Sequence, residues 1–139
     1  MLASQKNLEF QPSESIVSDV DTFKAECIHR LSEHYFRERL LNCLSLLDAN
    51  SPEFHSAKNI TALRVNMIIS DISNCDSDLD TLRENLKDNF KTLQNYIKAL
   101  KSSSMTTKAN ECIVNSFRII LEEMHSLGDL LKEFSQFAD

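Results

Sequence analysis

The sequence predicts an all-α fold, an elongated antiparallel bundle of three long helices with coiled-coil-like packing, and three observations carry that expectation. An apolar stripe beginning at Phe54 keeps 3-and-4 spacing through Ala57, Thr61, Val65, Ile68, Ile72, Cys75, Leu79, Leu82, Leu86, Phe90, Leu93, Ile97 and Leu100, with no Gly or Pro inside it. A repeat alternating 3 and 4 holds one face of a helix against a neighbouring helix over many turns. The whole chain of 139 residues contains one Gly and two Pro, too few for the turns of a strand-rich fold. That length suits one domain able to bury a core without disulfide or metal staples.

Residues 1–13 are polar and include Pro12, which opposes helix continuation, so they read as a flexible leader ahead of a single domain over 14–139. A first helix starts between Ser13 and Ser18 and carries Ile16, Val20, Phe23, Cys27, Leu31, Tyr35, Leu40, Leu44 and Leu47 at helical spacing. Glu26 with Arg30, and Glu33 with Arg37, stand four apart on its outer side, the favourable order for ion pairs. It should end at Asp48-Ala49-Asn50. Ser51-Pro52-Glu53 then supplies an N-cap, a proline at the first helical position and an acid in the first turn.

The second helix is expected to run to Lys101. Asn74, Asp76, Ser77 and Asp78 are poor helix formers, and Ser77 with Asp80 resembles a capping box. The stripe nevertheless passes this point in phase, which favours one continuous helix; a break near Asp76 would give four helices instead. Ser102-Ser103-Ser104 reads as a connection. The last helix, from about Met105 to Phe137, presents Ala109, Ile113, Phe117, Ile120, Met124, Leu127, Leu131 and Phe134. Gly128 within it costs about 1 kcal/mol relative to Ala and is expected to mark close approach of another backbone. Apolar zones wider than one seam at Leu40–Leu47, Val65–Ile69 and Ile113–Leu121 call for several surrounding helices.

Charge and motif content exclude several functions. A net charge of −6 and a pI near 5.2 oppose a phosphate backbone and an anionic membrane surface alike. The N-terminus lacks a secretory pattern and no window resembles a membrane span, so an intracellular protein, cytoplasmic or nuclear, is expected. In that compartment the sequon Asn59-Ile60-Thr61 has no glycosylation role. Cys27, Cys43, Cys75 and Cys112 are scattered without C-x-x-C spacing and read as small buried thiols. One Gly is too few for a phosphate-binding loop.

Two Glu-x-x-His motifs, Glu26 with His29 and Glu122 with His125, match the pattern that di-iron carboxylate bundles place on facing helices. The further carboxylates such a site needs are missing, because Glu53 and Glu84 fall away from the apolar stripe. Glu26 and Glu122 are expected to pair with Arg30 and Arg118 instead, and His34 and His55 have no convergent partners. No catalytic residue, metal or cofactor is expected.

The expected function is therefore a non-enzymatic protein-interaction module. It would be a structural or adaptor subunit, or a chaperone-like component, of an intracellular assembly, with a metal-binding bundle as the alternative. An unbroken second helix would outrun its neighbours by roughly 15 residues, more than 20 Å. Val65, Ile68, Ile72, Leu79, Leu82, Leu86, Phe90 and Leu93 would then meet a second copy or a different helical protein. The charges alternating over Asp76–Lys91 would flank that seam and select the partner.

Overall fold

A computed structural model describes residues 12–76, 78–103 and 107–138, with side-chain surroundings within 20–133. The chain folds as α1 (Pro12–Ser32), α2 (His34–Asn42), α3 (Pro52–Asn74), α4 (Leu79–Ser102) and α5 (Lys108–Ala138), with no strand among the described residues. The all-α class and helix-on-helix packing are as read from the sequence. The number of helices is not, because two of the three expected helices break.

The first break comes at Glu33. Its backbone is extended (φ −65°, ψ 142°) and its side chain makes no cap bond. Up to Leu31 the buried positions are Val20, Phe23, Cys27 and Leu31; beyond it they are Phe36, Leu40 and Leu44. The step from Leu31 to Phe36 is five residues, which in one straight helix would turn Phe36 off the core face. One extended residue restores the facing. Tyr35, expected in the stripe, is therefore 69% exposed while Phe36 is 3% exposed. The break frees helical carbonyls, and Arg37 Nε donates to the Leu31 carbonyl at 3.2 Å, which satisfies one of them. α2 then ends at Asn42, short of the expected Asp48, and turns lead to α3.

The start of α3 is as expected. Ser51 Oγ accepts from the Phe54 N–H at 3.1 Å, Pro52 holds the first helical position and Glu53 sits in the first turn. The continuous second helix is overturned. α3 stops at Asn74, Cys75 is extended, and α4 begins after Asp78. The cap is Asp78, not Ser77, which lies outside the described residues: the Asp78 carboxylate accepts from the Thr81 N–H at 2.8 Å and from the Thr81 hydroxyl at 2.7 Å. These bonds hold its carboxyl below the usual range. Phase survives the break because Ile72 and Leu82 face the same core from two antiparallel helices, so spacing across the turn carries no information about continuity. No overhang remains.

α5 packs against each of the other four helices, and α3 packs against α1, α4 and α5. Lys24 Nζ donating to the Cys75 carbonyl at 2.8 Å ties α1 to the end of α3. Asn85 Nδ2 donating to the Asp71 carbonyl at 3.2 Å links the start of α4 to the end of α3. Both pairings are antiparallel. The lysine also sets a cation at the negative end of the α3 dipole. The result is a four-membered bundle whose first member, α1 with α2, is bent. Its core is continuous, from Phe23, Cys27 and Leu31 through Val65, Ile68 and Ile72 to Leu82, Leu93, Ile120 and Leu127. The wide apolar zone of α5 is explained by this central place, with consecutive Cys112, Ile113 and Val114 all buried.

One polar contact crosses the core. Ser116 Oγ donates to the Ile113 carbonyl at 2.9 Å, which uses its only proton, so Thr61 Oγ1 is the donor across the 3.0 Å gap to Ser116 Oγ. Gly128 departs from expectation: a Cβ built there meets nothing within 4 Å, so no backbone approaches it closely. Residues 1–11 of the expected leader lie outside the described residues, as does the side chain of Phe134.

Candidate interaction surface

The residues expected to meet a partner are occupied by the chain itself. Val65, Ile68, Ile72, Leu82, Leu86 and Leu93 are buried in its own core, and Leu79 and Phe90 pack partly buried against it. The six buried ones are covered by the chain's own helices, while Leu86 and Phe90 also line the cleft between α4 and α5. This corrects the assignment of the seam as a docking face.

The two Glu-x-x-His motifs do not converge. His29 Nε2 lies 3.6 Å from Glu33, and Glu26 takes Arg30 Nε at 3.0 Å as expected. Arg30 also reaches Glu123 at 3.8 Å and Ser126 Oγ at 3.2 Å. Glu122 pairs with Arg39 of α2 at 3.4 Å, where Arg118 on its own helix was expected. His125 belongs to a different cleft, between α4 and α5, beside Glu84 and Asp129. Among the described residues no three His, Cys, Asp or Glu side chains gather as metal ligands. Along the alternating charges of α4, Asp80–Arg83 forms at 2.8 Å and Glu84–Lys87 at 3.7 Å. Glu33 pairs with His29, while Arg37 is drawn to the Leu31 carbonyl and to Asn66 Oδ1 at 3.4 Å.

The thiols are structural. Cys27 and Cys112 are buried, Cys43 and Cys75 half-buried, and all four are free. Burial pushes the Cys27 thiol up to about 12, a nearby Arg30 opposing only in part, and burial raises the other three as well. A thiol held protonated is a poor nucleophile. His34 and His55 are exposed; His55 meets the Phe54 ring edge-on, with centroids 5.7 Å apart.

What the bundle leaves outside is more informative. Ile60, Leu63 and Met67 on α3 are 42%, 59% and 42% exposed. Their 3-and-4 spacing aligns them on the side of the helix away from Thr61, Val65 and Ile68. Arg64, one turn on from Ile60, places its guanidinium 4.6 Å from the centre of the Tyr96 ring. Tyr96 itself packs edge-on against Phe117 at 6.5 Å, so an exposed aromatic of α4 is held beside the row. On the other side, Arg37 and Lys58 edge a narrow cleft between α2 and α3 floored by Leu41 and Ala62.

No family model, curated protein or solved structure matches this chain. The reading of function therefore stands on the surface itself. Sequence inspection passed over the row because Ile60, Leu63 and Met67 sit among core residues in an apolar run. The signal was present, since a helix with one buried face has no packing use for apolar side chains on the opposite one. No described helix is long and apolar enough to cross a membrane.

Proposed function

We propose that this protein is a non-enzymatic interaction module, a structural or adaptor subunit or a chaperone-like component of a protein assembly, acting through helix-on-helix docking. The observation that carries the reading is the outward row Ile60, Leu63 and Met67, set on a bundle whose core is already closed. Apolar side chains left in water on a satisfied scaffold forfeit burial free energy that a partner restores. The bundle supplies rigidity: α3 is capped by Ser51 at one end, tied by Lys24 at the other, and packed on three neighbours.

Cross-linking in the protein's own cell tests this, because Lys58 stands exposed on the same helix as a reactive handle. Peptides of one other protein joined to Lys58 are the expected result. Links confined to the chain itself, together with sedimentation as an isolated chain in fresh extract, would sink the reading.

A further inference from the structure

Ion pairing divides the cations of this acidic protein unevenly. Arg30, Arg39, Arg83, Lys87 and Lys132 each meet an acid. Those around the α4–α5 connection do not. From Lys91 to Leu121 the chain holds five cations, Lys91, Lys98, Lys101, Lys108 and Arg118, and one acid, Glu111, although the whole protein carries a net −6. All five are exposed, and among the described residues none lies within ion-pair distance of a carboxylate.

Four of them share one groove, on the outside of the bundle between α4 and α5. Lys91 lines it beside His125, and Lys101 and Arg118 line it beside Leu100 and Val114. Lys98 stands on the same face of α4, because it follows Lys91 by two turns and precedes Lys101 by one. The half of the groove nearer the α3–α4 turn differs in charge: Glu84, Asp88 and Asp129 line it together with Lys87 and Lys132. In the half nearer the α4–α5 connection, Glu111 is the one acid among the lining residues.

We propose that the α4–α5 groove between Lys91 and Lys101 is a docking site for a short acidic helix of a partner protein, separate from the apolar row of α3. The partner's charge follows from four exposed cations that no carboxylate of the chain meets. Its length follows from their spread: ten residues of α4 span about 15 Å, too far for one carboxylate or phosphate to bridge and matched by about three turns of helix. Its helical form follows because no described strand offers an edge, so the incoming backbone must satisfy itself. Leu100 and Val114 give the groove an apolar strip for the partner's own apolar side chains.

Nucleic acid fits less well. A phosphate backbone longer than this stretch runs on to Glu84, Asp88 and Asp129, and the net charge of the protein opposes it along its length. An acidic helix of three turns ends before that half of the groove.

Anisotropy titration of the full chain with three labelled probes tests the proposal. They are a synthetic helix with Leu on one side and Glu at i, i+3, i+7 and i+10, the same helix with Gln for Glu, and a short single-stranded DNA. The net charge of the protein disfavours the Glu helix, so a preference for it comes from local cations, which dominate at about 0.15 M salt where the screening length is roughly 8 Å. The Glu helix should bind about ten-fold tighter than the Gln helix, since four exposed pairs each contribute modestly, and tighter than the DNA. Lys98→Glu with Arg118→Glu should remove the preference without shifting the melting temperature, because both side chains are exposed. The milder Lys98→Gln with Arg118→Gln should reduce it about three-fold. Lys58→Glu with Lys132→Glu makes the same change in net charge as the first pair, away from this stretch, and should leave the preference intact.

Equal binding of the Glu and Gln helices, or binding of neither, would overturn the proposal. So would tighter binding of the DNA, which would make the occupant a nucleic acid, or a wild-type dimer that Lys98→Glu with Arg118→Glu dissociates, which would make it a second copy. Equal losses in the Lys98–Arg118 and Lys58–Lys132 variants would assign the effect to overall charge and sink the groove. Cross-linking at Lys58 bears on the module reading alone, so the two can fail separately.

Discussion

Ser116 shows how much one buried hydroxyl can determine. Its proton goes to the Ile113 carbonyl, and Thr61 gives its own proton to Ser116, so the pair is satisfied only when α3 and α5 stand in this register. Ser116→Ala should cost about 1–2 kcal/mol, because Thr61 loses its acceptor inside the core. Adding Thr61→Val should recover part of that, and a denaturant double-mutant cycle reads the difference. Equal and additive losses would mean that the two hydroxyls do not communicate.

Two other residues make opposite predictions. Leu82 is fully buried, so Leu82→Asp should cost several kcal/mol and largely unfold the chain. Lys87 is 69% exposed with a weak pair to Glu84, so Lys87→Asp should change stability little. Gly128 has open space where a Cβ would stand, and Gly128→Ala should raise stability by about 1 kcal/mol. Thermal melting of the three variants should rank them in that order.

At the scale of the element, the turn between α3 and α4 hangs on Asp78. Its carboxyl pKa is lowered in the folded state by bonds from the Thr81 N–H and hydroxyl. The sign follows directly: a depressed folded pKa gives stability that is present above the unfolded value of 3.8 and is lost as pH falls through the folded one. Asp78→Ala should lower the melting temperature at pH 7, and the gap from wild type should close as the solution is acidified toward pH 2. A gap independent of pH would show that charge plays no part in the cap. Cys27 works in the other direction. Its pKa is raised from 9.0 to about 12, so the folded state loses stability as pH climbs through that window, while Cys27→Ala should show a shallower alkaline decline.

For the whole molecule, the break at Cys75–Asp78 decides whether the second stripe is covered by the chain itself. One long helix would have left an overhang of roughly 15 residues for another chain; two antiparallel helices close that stripe on α1 and α5. The apolar side chains left exposed on α3 are Ile60, Leu63 and Met67, which no core position requires. The isolated chain of 15.9 kDa should therefore sediment as a monomer at micromolar concentration. A concentration-dependent dimer would mean that the closed core is not the end of assembly.

Helical periodicity, the Ser51-Pro52-Glu53 cap and the near absence of Gly and Pro determined the all-α class and most of the core, because such signals act within a few residues of the chain. Tertiary structure alone decided which way each helix turns. The slip from Tyr35 to Phe36 came from a spacing of five that a straight helix would bury wrongly, and the continuity of the second stripe was indifferent to a reversal of direction. Glu122 pairs with Arg39, which lies far from it in sequence and is brought beside it by the packing of α2 on α5. The same holds for the candidate site: Ile60, Leu63 and Met67 are as apolar as Val65 and Ile68, and only the placement of α1, α4 and α5 leaves the first set in water and the second in the core.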